Sequence, residues 1–164
     1  MKRLILMRHA KSDWSAGEDD HGRPLNKRGT QSAPAMGEWL RAQGWIPQEA
    51  LCSTATRTRQ TLDLLGFDGL PTRFERGLYL ADARDMIACL QTASADTVLM
   101  VGHNHGIADC AHQLVADWPA NPRFMDYPTC ATALITFAVD SWGDIAPGLG
   151  TCADFAIPRE LMTG

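Results

Sequence analysis

Short apolar runs alternate along the chain with segments in which apolar residues recur at helical spacing. The run from Arg3 to Met7 is almost continuously apolar, which is typical of a strand buried on both faces of a parallel sheet. Residues 130–139 alternate and are rich in β-branched side chains, so they also predict a strand. The predicted strands are residues 3–7, 50–52, 72–75, 97–101, 130–139 and 154–157.

Between these strands the spacing of apolar residues predicts helices. The first ends at Gly44 and carries Ala33, Met36 and Leu40 on one face. Pro34 lies inside it, so either the helix begins near Thr30 or it kinks at the proline. The second helix follows a cap at Ser53 or Thr54 and ends at Gly66; the others cover residues 82–92 and about 107–115.

Strands that alternate with helices predict an α/β fold, a three-layer α/β/α sandwich with a mostly parallel sheet. The chain has 164 residues, which predicts a single domain spanning residues 1–164. Two connections are longer and more polar than tight turns, at residues 11–24 and 118–128. Connections of this length in small domains are often functional.

Composition and charge exclude some classes of function. Apolar residues make up 45% of the chain, and 15 basic against 19 acidic residues give a net charge of −4. This balance argues against a general nucleic-acid binder, and no apolar run is long enough to span a membrane. The run after Met1 stops at Arg8, before a secretory leader could form, so we expect a cytoplasmic protein. The five dispersed cysteines predict reduced thiols packed as small apolar groups: Cys52, Cys89, Cys110, Cys130 and Cys152.

Three segments share one design, in which a buried strand leads through a polar or glycine-bearing turn into a helix. Because the turns of a parallel sheet meet at its carboxyl edge, they should bring their side chains to one place. Two arginines and two histidines gathered there, beside helix N-termini, favour an anion, and we expect a phosphate. The side chains concerned are Arg8, His9, Ser53, Arg57, His103 and Asn104.

Each segment also has a simpler interpretation. Arg8 and His9 could be a strand end that reaches solvent, Arg57 could lie on a solvated helix face, and His103 could be a capped turn histidine. A phosphate site is nevertheless indicated, because all three segments have these residues at equivalent positions.

Four motifs in order, LILMRHAKSDW, DHGRPLNKRG, STATRTRQT and VLMVGHNHG, resemble those of the histidine phosphatase superfamily. The closing FAIPREL is also similar, so the resemblance covers nearly the whole chain. It is greatest to the SixA-type phosphohistidine phosphatases and implies the phosphoglycerate mutase-like fold. Two positions depart from the usual pattern: Ala10 stands where most relatives have glycine, and His105 stands in place of the usual proline.

The resemblance implies that His9 is a nucleophile that forms a phosphohistidine intermediate. Arg8, Arg57 and His103 would bind the phosphoryl oxygens. From their position at the same edge of the sheet, Ser53 and Asn104 are also predicted to bind the substrate. Arg23, in the long loop, either reaches the mouth of the site or makes a surface contact. No metal or cofactor is implied, because these groups already supply positive charge.

Mutase-like relatives use a glutamate after the third strand to protonate the leaving oxygen, but the matching stretch here is Leu78 to Leu80. Glu75 and Asp82 are nearby, and Asp82 fits a helix cap better than an acid. An imidazole leaving group needs little help near neutral pH. The sequence therefore favours a phosphohistidine phosphatase acting on a phosphorylated protein, with a broad-specificity acid phosphatase or a mutase-like enzyme acting on a small phosphate ester as the alternative.

Two other classes are compatible with parts of the sequence. His105, Asp109 and His112 lie at helical spacing and could ligate a metal in a metal-dependent hydrolase, although two half-exposed histidines on a helix are the simpler interpretation. A non-catalytic phosphate-binding module is the other, and the retention of Arg8, His9 and His103 argues against it.

Overall fold

In the computed structural model, which describes residues 1–15, 17 and 19–162, a six-stranded sheet runs through the middle of the molecule. Its strands are β1 (Lys2–Arg8), β2 (Glu49–Ser53), β3 (Thr72–Glu75), β4 (Thr97–Gly102), β5 (Thr132–Phe137) and β6 (Gly150–Ala156). They lie in the order β3-β2-β4-β1-β5-β6. The neighbours from β3 to β1 are parallel, whereas β5 is antiparallel to both β1 and β6. The predicted mostly parallel sheet is confirmed.

Helices cover both faces of the sheet. The α-helices of the described residues are α1 (Lys27–Ala42), α2 (Thr56–Leu64), α3 (Ala83–Leu90), α4 (Gly106–Leu114) and α5 (Pro158–Leu161). One apolar core lies between the sheet and α3 with α4, and a second lies between the sheet and α1 with the end of α2. This arrangement is the predicted α/β/α sandwich. Within the described ranges no helix is long and apolar enough to cross a membrane.

Strand β1 shows why a continuous apolar run folds into the centre of such a sandwich. Alternate side chains of a strand point to opposite faces, so Leu4 and Leu6 enter one core while Ile5 and Met7 enter the other. All four are fully buried. The strand ends at Arg8, where the chain reaches the carboxyl edge of the sheet.

Helix α1 begins earlier than predicted, at Lys27 rather than near Thr30. The side chain of Asn26 caps it by accepting a hydrogen bond of 2.9 Å from the Gly29 amide. Pro34 therefore lies well inside the helix rather than in its first turn. Asparagine is a preferred N-cap residue, so Asn26 marks this start in the sequence, although the apolar periodicity does not show it.

The predicted cap of α2 at Ser53 or Thr54 is wrong, because the N-cap residue is Ala55, which has no capping side chain. Ser53 is the last residue of β2, and its hydroxyl is used elsewhere, as described below. The boundaries of the last two strands also differ from those predicted. Strand β5 is shorter than the predicted 130–139, and β6 begins four residues before the predicted 154.

Two glycines allow backbone segments at the carboxyl edge to touch. A Cβ on Gly29 would lie 2.1 Å from the carbonyl oxygen of Lys11, and one on Gly106 would lie 1.9 Å from that of Ala81. Both separations are impossible for a side chain. The starts of α1 and α4 are thereby held against the loops that follow β1 and precede α3.

All five cysteines are free thiols, as the sequence predicts. Cys52, Cys110 and Cys130 are buried, and burial raises the pKa of each to about 12. Cys89 and Cys152 are half-buried, and their pKa values are raised by the same cause.

Candidate active site at the carboxyl edge of the sheet

Three neighbouring strands, β2, β4 and β1, end side by side and deliver the candidate residues to one place. Arg8 lies opposite Gly102 in the sheet, and the His9 amide donates a 3.0 Å hydrogen bond to the Gly102 carbonyl. His103 follows directly, and Arg57 projects from the first turn of α2. The structure thus brings together the side chains that the sequence placed at this edge.

His9 is held in one orientation by the backbone. Its Nδ1 lies 2.6 Å from the carbonyl oxygen of Ala10, which can only accept, so Nδ1 carries the proton and Nε2 has a free lone pair. Ala10 is itself fixed, because its amide donates to the Thr61 hydroxyl at 2.9 Å. His9 is only 5% exposed, and burial lowers its pKa well below the usual value. The ring is therefore neutral and has the electronic form of a nucleophile.

His103 faces His9 across the site, with 5.3 Å between the ring centroids. Its Nε2 lies 2.8 Å from the hydroxyl of Ser53, which explains why that hydroxyl does not cap α2. Burial, followed by the charge of Arg57, lowers the pKa of His103 to about 3. The ring is therefore neutral at physiological pH until an anion arrives.

The site contains buried side-chain nitrogens without hydrogen-bond partners. In the described part of the chain, the buried side-chain nitrogens and oxygens that lack a hydrogen-bond partner are Arg8 Nε, Arg23 Nε, Arg57 Nε and His103 Nδ1. A buried polar group left unpaired costs about 1–3 kcal/mol, so four of them at one edge of the sheet indicate a ligand. Guanidinium and imidazole nitrogens suit an oxyanion.

Arg8 and Arg57 are anchored differently. Arg8 Nη1 donates to the Tyr127 carbonyl at 3.2 Å, and burial lowers the pKa of its guanidinium. Arg57, whose side chain is 2% exposed, donates from Nη1 to the Asp20 carbonyl at 2.6 Å. Each arginine thus has one donor tied to the backbone, which fixes the direction of the others.

Asp20 is the site residue that the sequence analysis missed. Its carboxylate is 3.2 Å from Arg57 Nη2 and 3.0 Å from Arg23 Nη2, and it accepts a hydrogen bond from the Tyr79 hydroxyl. The Tyr79 hydroxyl, with the two arginines, holds the pKa of Asp20 well below its usual range. The carboxylate stays ionised and occupies donors that a phosphate would use. The available signal was the length of the 11–24 loop and the position of Asp20 three residues before Arg23.

Arg23 lies in the site rather than on the surface. It is 7% exposed, donates to the Ser12 hydroxyl, and its guanidinium lies 3.6 Å from the centre of the Trp14 ring. Of the two interpretations of Arg23, the structure therefore favours the one at the mouth of the site.

Asn104 has a supporting position. Its side-chain amide donates to the Asp126 carbonyl at 2.8 Å and to the Tyr127 carbonyl at 3.3 Å, and its oxygen accepts from the Ala108 amide. The Tyr127 carbonyl is also the anchor of Arg8. Asn104 therefore steadies the loop that orients Arg8, and its amide protons point toward that loop.

Both predicted acid candidates have other partners in the structure. Asp82 caps α3 by accepting a 2.9 Å hydrogen bond from the Asp85 amide, which is the simpler role expected for it. Glu75 faces Arg73 at 3.9 Å. Tyr79, in the middle of the stretch that matches the mutase acid, presents its hydroxyl to Asp20.

The residues of the metal-site alternative do not converge. His112 Nε2 donates to the Phe124 carbonyl at 2.8 Å, and its ring stacks on Trp118 with 4.1 Å between centroids. His105 is exposed at the start of α4. Across residues 1–15, 17 and 19–162 there is no cluster of three or more His, Cys, Asp or Glu side chains that could hold a metal ion.

Comparison with known proteins identifies relatives over the same residues. The family description "Histidine phosphatase superfamily (branch 1)" matches residues 4–79, which include Arg8, His9 and Arg57. An uncharacterised protein of Mycobacterium tuberculosis (strain ATCC 25618 / H37Rv) is 37% identical over 160 residues, covering 93% of this chain and all of that protein.

Solved structures extend the similarity to the whole fold. A protein from Nakamurella multipartitia, described as a candidate phosphohistidine phosphatase SixA, has a TM-score of 0.83 and 29% identity over 96% of each chain. The protein histidine phosphatase SixA complexed with tungstate has a TM-score of 0.79 and 25% identity, over 97% of this chain and 99% of that one.

Proposed function

This chain belongs to the histidine phosphatase superfamily, and from that premise we propose that it is a phosphohistidine phosphatase that works through a phosphorylated His9. The observation that carries the proposal is the His9 ring, neutral and hydrogen-bonded at Nδ1 to the Ala10 carbonyl, beside four buried nitrogens that have no hydrogen-bond partner. Its substrate is a phosphohistidine of a protein or another activated phosphate.

In the first step, His9 Nε2 attacks the phosphorus of the substrate. A bond forms between His9 Nε2 and phosphorus as the substrate's nitrogen–phosphorus bond breaks. The substrate ring carries a proton on its other nitrogen, so the electron pair of the broken bond leaves it as a neutral imidazole. The Ala10 carbonyl holds the Nδ1 proton and stabilises the positive charge that develops on the ring. Such alignment supplies much of the catalysis in phosphoryl transfer.

Arg8, Arg57 and His103 neutralise the three oxygens of the transferring group. The unpartnered nitrogens of these side chains are buried, and a low local dielectric strengthens their attraction to an anion. His103 is neutral in the empty site and gains a proton as a dianion arrives, because negative charge raises a histidine pKa. The site therefore gains one positive charge, on His103, when a dianion binds.

In the second step, water attacks the phosphorus of the phosphorylated His9. The bond from phosphorus to Nε2 breaks, its electron pair returns to Nε2, and the water's oxygen remains on phosphorus as inorganic phosphate forms. The proton lost by the water passes to solvent or to the phosphate. His9 is restored with its proton still on Nδ1.

The preference for an activated leaving group rests on the carboxylates near the site. Asp20 is strongly ionised, so it has no proton to give at neutral pH, while Asp82 and Glu75 lie in other contacts. An alkoxide needs such a proton, whereas a phosphohistidine ring protonated on its other nitrogen leaves as neutral imidazole, whose conjugate acid has a pKa of about 6.5. The absence of an available proton on these carboxylates therefore favours phosphohistidine over sugar phosphates as the substrate, and a phosphatase over a mutase.

The test is to trap the intermediate and to compare substrates. A phosphohistidine peptide labelled with radioactive phosphate should leave acid-labile label on the protein, and His9→Ala should leave none. His105→Ala, which changes an exposed histidine of the neighbouring turn, is the control and should retain the label. Label retained by His9→Ala, or equal rates on phosphohistidine, phosphoserine and sugar phosphates, would refute the proposal.

A further inference from the structure

A second positively charged surface lies beside the candidate active site. It is a groove of about 320 Å³ between the start of α1, the loop after Tyr127 and the start of α5. We call it the basic groove; its lining includes Lys11, Arg28, Arg123, Thr129, Pro158 and Arg159. None of the catalytic contacts described above involves these side chains.

The basic groove carries excess positive charge in a chain whose net charge is −4. Arg123 is paired with Asp126 at 3.0 Å. Lys11, Arg28 and Arg159 make no ion pair with another described residue. Glu160, next to Arg159, accepts a hydrogen bond of 3.1 Å from Asn121. Three exposed cations therefore face one groove that is also lined by Arg123, the partner of Asp126.

Folding alone gives no reason for this placement. Arg28 and Lys27 lie in the first turn of α1, which has no acidic residue. The N-terminal end of a helix carries partial positive charge, so cations there are unfavourable. An anion bound in the groove would offset both the cluster and the helix end.

The groove is continuous with the catalytic backbone. Lys11 follows His9 by two residues, and Thr129 precedes Cys130, whose amide donates to the His9 carbonyl at 2.9 Å. Pro128, which also lines the groove, follows Tyr127, the carbonyl anchor of Arg8. A macromolecule that presents a phosphoryl group to His9 would bring its neighbouring surface close to the groove.

We propose that the basic groove docks an acidic segment of the phosphorylated protein substrate, a run of aspartate and glutamate side chains near the phosphohistidine. This inference rests on the proposed function and names the kind of partner it acts on. Exposed, long side chains such as Arg28 and Arg159 suit several carboxylates on a solvated surface. A single small anion is better held by buried and anchored donors such as Arg57.

The test compares two phosphohistidine peptides of equal length, one flanked by glutamates and one by glutamines, with p-nitrophenyl phosphate as a small substrate. Arg28→Gln and Arg159→Gln should each lower kcat/KM on the glutamate peptide roughly two- to fivefold, the range for exposed charge pairs. Both should leave the glutamine peptide and p-nitrophenyl phosphate unchanged. Arg84→Gln is the matched control, since Arg84 is the second residue of α3 as Arg28 is of α1.

A binding measurement separates this inference from the proposed function. A fluorescent, unphosphorylated glutamate peptide should bind the native protein more tightly than the Arg28→Gln/Arg159→Gln double variant, with a difference that shrinks as salt is raised. This result does not depend on turnover, so failure of both phosphohistidine peptides to react would count against the proposed function alone. Equal binding to the native protein and the double variant, or an equal loss of kcat/KM on both peptides, would overturn the docking role.

Discussion

Replacing Asp20 by asparagine should make the protein bind phosphate more tightly. The Asp20 carboxylate lies on Arg57 Nη2 and Arg23 Nη2, at 3.2 and 3.0 Å, so an incoming phosphate must displace a negative group from both. Asp20→Asn keeps the size of the side chain and removes its charge. The backbone carbonyl of residue 20, which holds Arg57 Nη1 at 2.6 Å, is unaffected.

The magnitude follows from the two contacts and their exposure. The Asp20 side chain is 43% exposed, so each ion pair is weakened by solvent and contributes about 0.5–1 kcal/mol rather than the larger value of a buried pair. Two contacts give about 1–2 kcal/mol, which corresponds to roughly 5- to 30-fold in the dissociation constant of phosphate. Removing a negative charge beside a dianion acts in the same direction.

The measurement is competitive inhibition of aryl phosphate hydrolysis by inorganic phosphate and by tungstate, at constant ionic strength. Asp19→Asn is the control, because Asp19 accepts a hydrogen bond from the Gly22 amide at 2.9 Å, whereas the ion pair of Arg57 is with Asp20. It should change the inhibition constant less than twofold. An unchanged or larger inhibition constant in Asp20→Asn would mean that Asp20 orients Arg57 rather than competing with the phosphate.

Four further outcomes are expected. Binding of tungstate at pH 6 should be accompanied by uptake of close to one proton, because the pKa of His103 in the empty site is about 3. Calorimetry in buffers of different ionisation enthalpy measures this uptake, and His103→Gln should abolish it. In the unfolded chain, a histidine has a pKa of about 6.5. Between that pH and the folded-state pKa of about 3, the unfolded chain binds more protons than the folded one. His103 alone should therefore lower the free energy of unfolding by about 2 kcal/mol between pH 7 and pH 5. Denaturant unfolding measures this loss, and a His103→Gln slope equal to that of the native protein contradicts it. Rates of phosphorylation by aryl phosphates should rise steeply as the leaving-group pKa falls, and Asp82→Asn should barely alter turnover of phosphohistidine; a flat dependence in stopped-flow assays would reveal an acid elsewhere. Activity should survive EDTA, and loss that zinc or manganese restores would favour a metal site.

The sequence was most informative where one local pattern determines position. The apolar run ending at Arg8 can only be a central strand, and parallel strands put their turns at one edge, so the convergence of Arg8, Ser53 and His103 could be predicted. The cap of α2 could not, because the Ser53 hydroxyl pairs with a histidine 50 residues away. The contact between Ser53 and His103 overrides the local preference of serine for the N-cap position, and the sequence alone does not show that contact.

Asp20 and the basic groove escaped sequence analysis for a related reason. Asp20 lies in a polar loop without periodicity, and its partner Arg57 is 37 residues further along the chain. Lys11, Arg28 and Arg159 are equally scattered, and only the packing of α1 beside α5 brings them to one groove. Charge clusters assembled from distant segments leave no pattern in a single sequence.

The five thiols have a practical consequence for experiments in cell extracts. With pKa values raised by burial, they remain protonated near neutral pH, and a protonated thiol reacts poorly with alkylating reagents. Phosphatases that use a cysteine nucleophile depend on a thiolate and are inactivated by such reagents. Treating an extract with iodoacetamide before assay should therefore silence thiolate-dependent phosphatases while sparing this one.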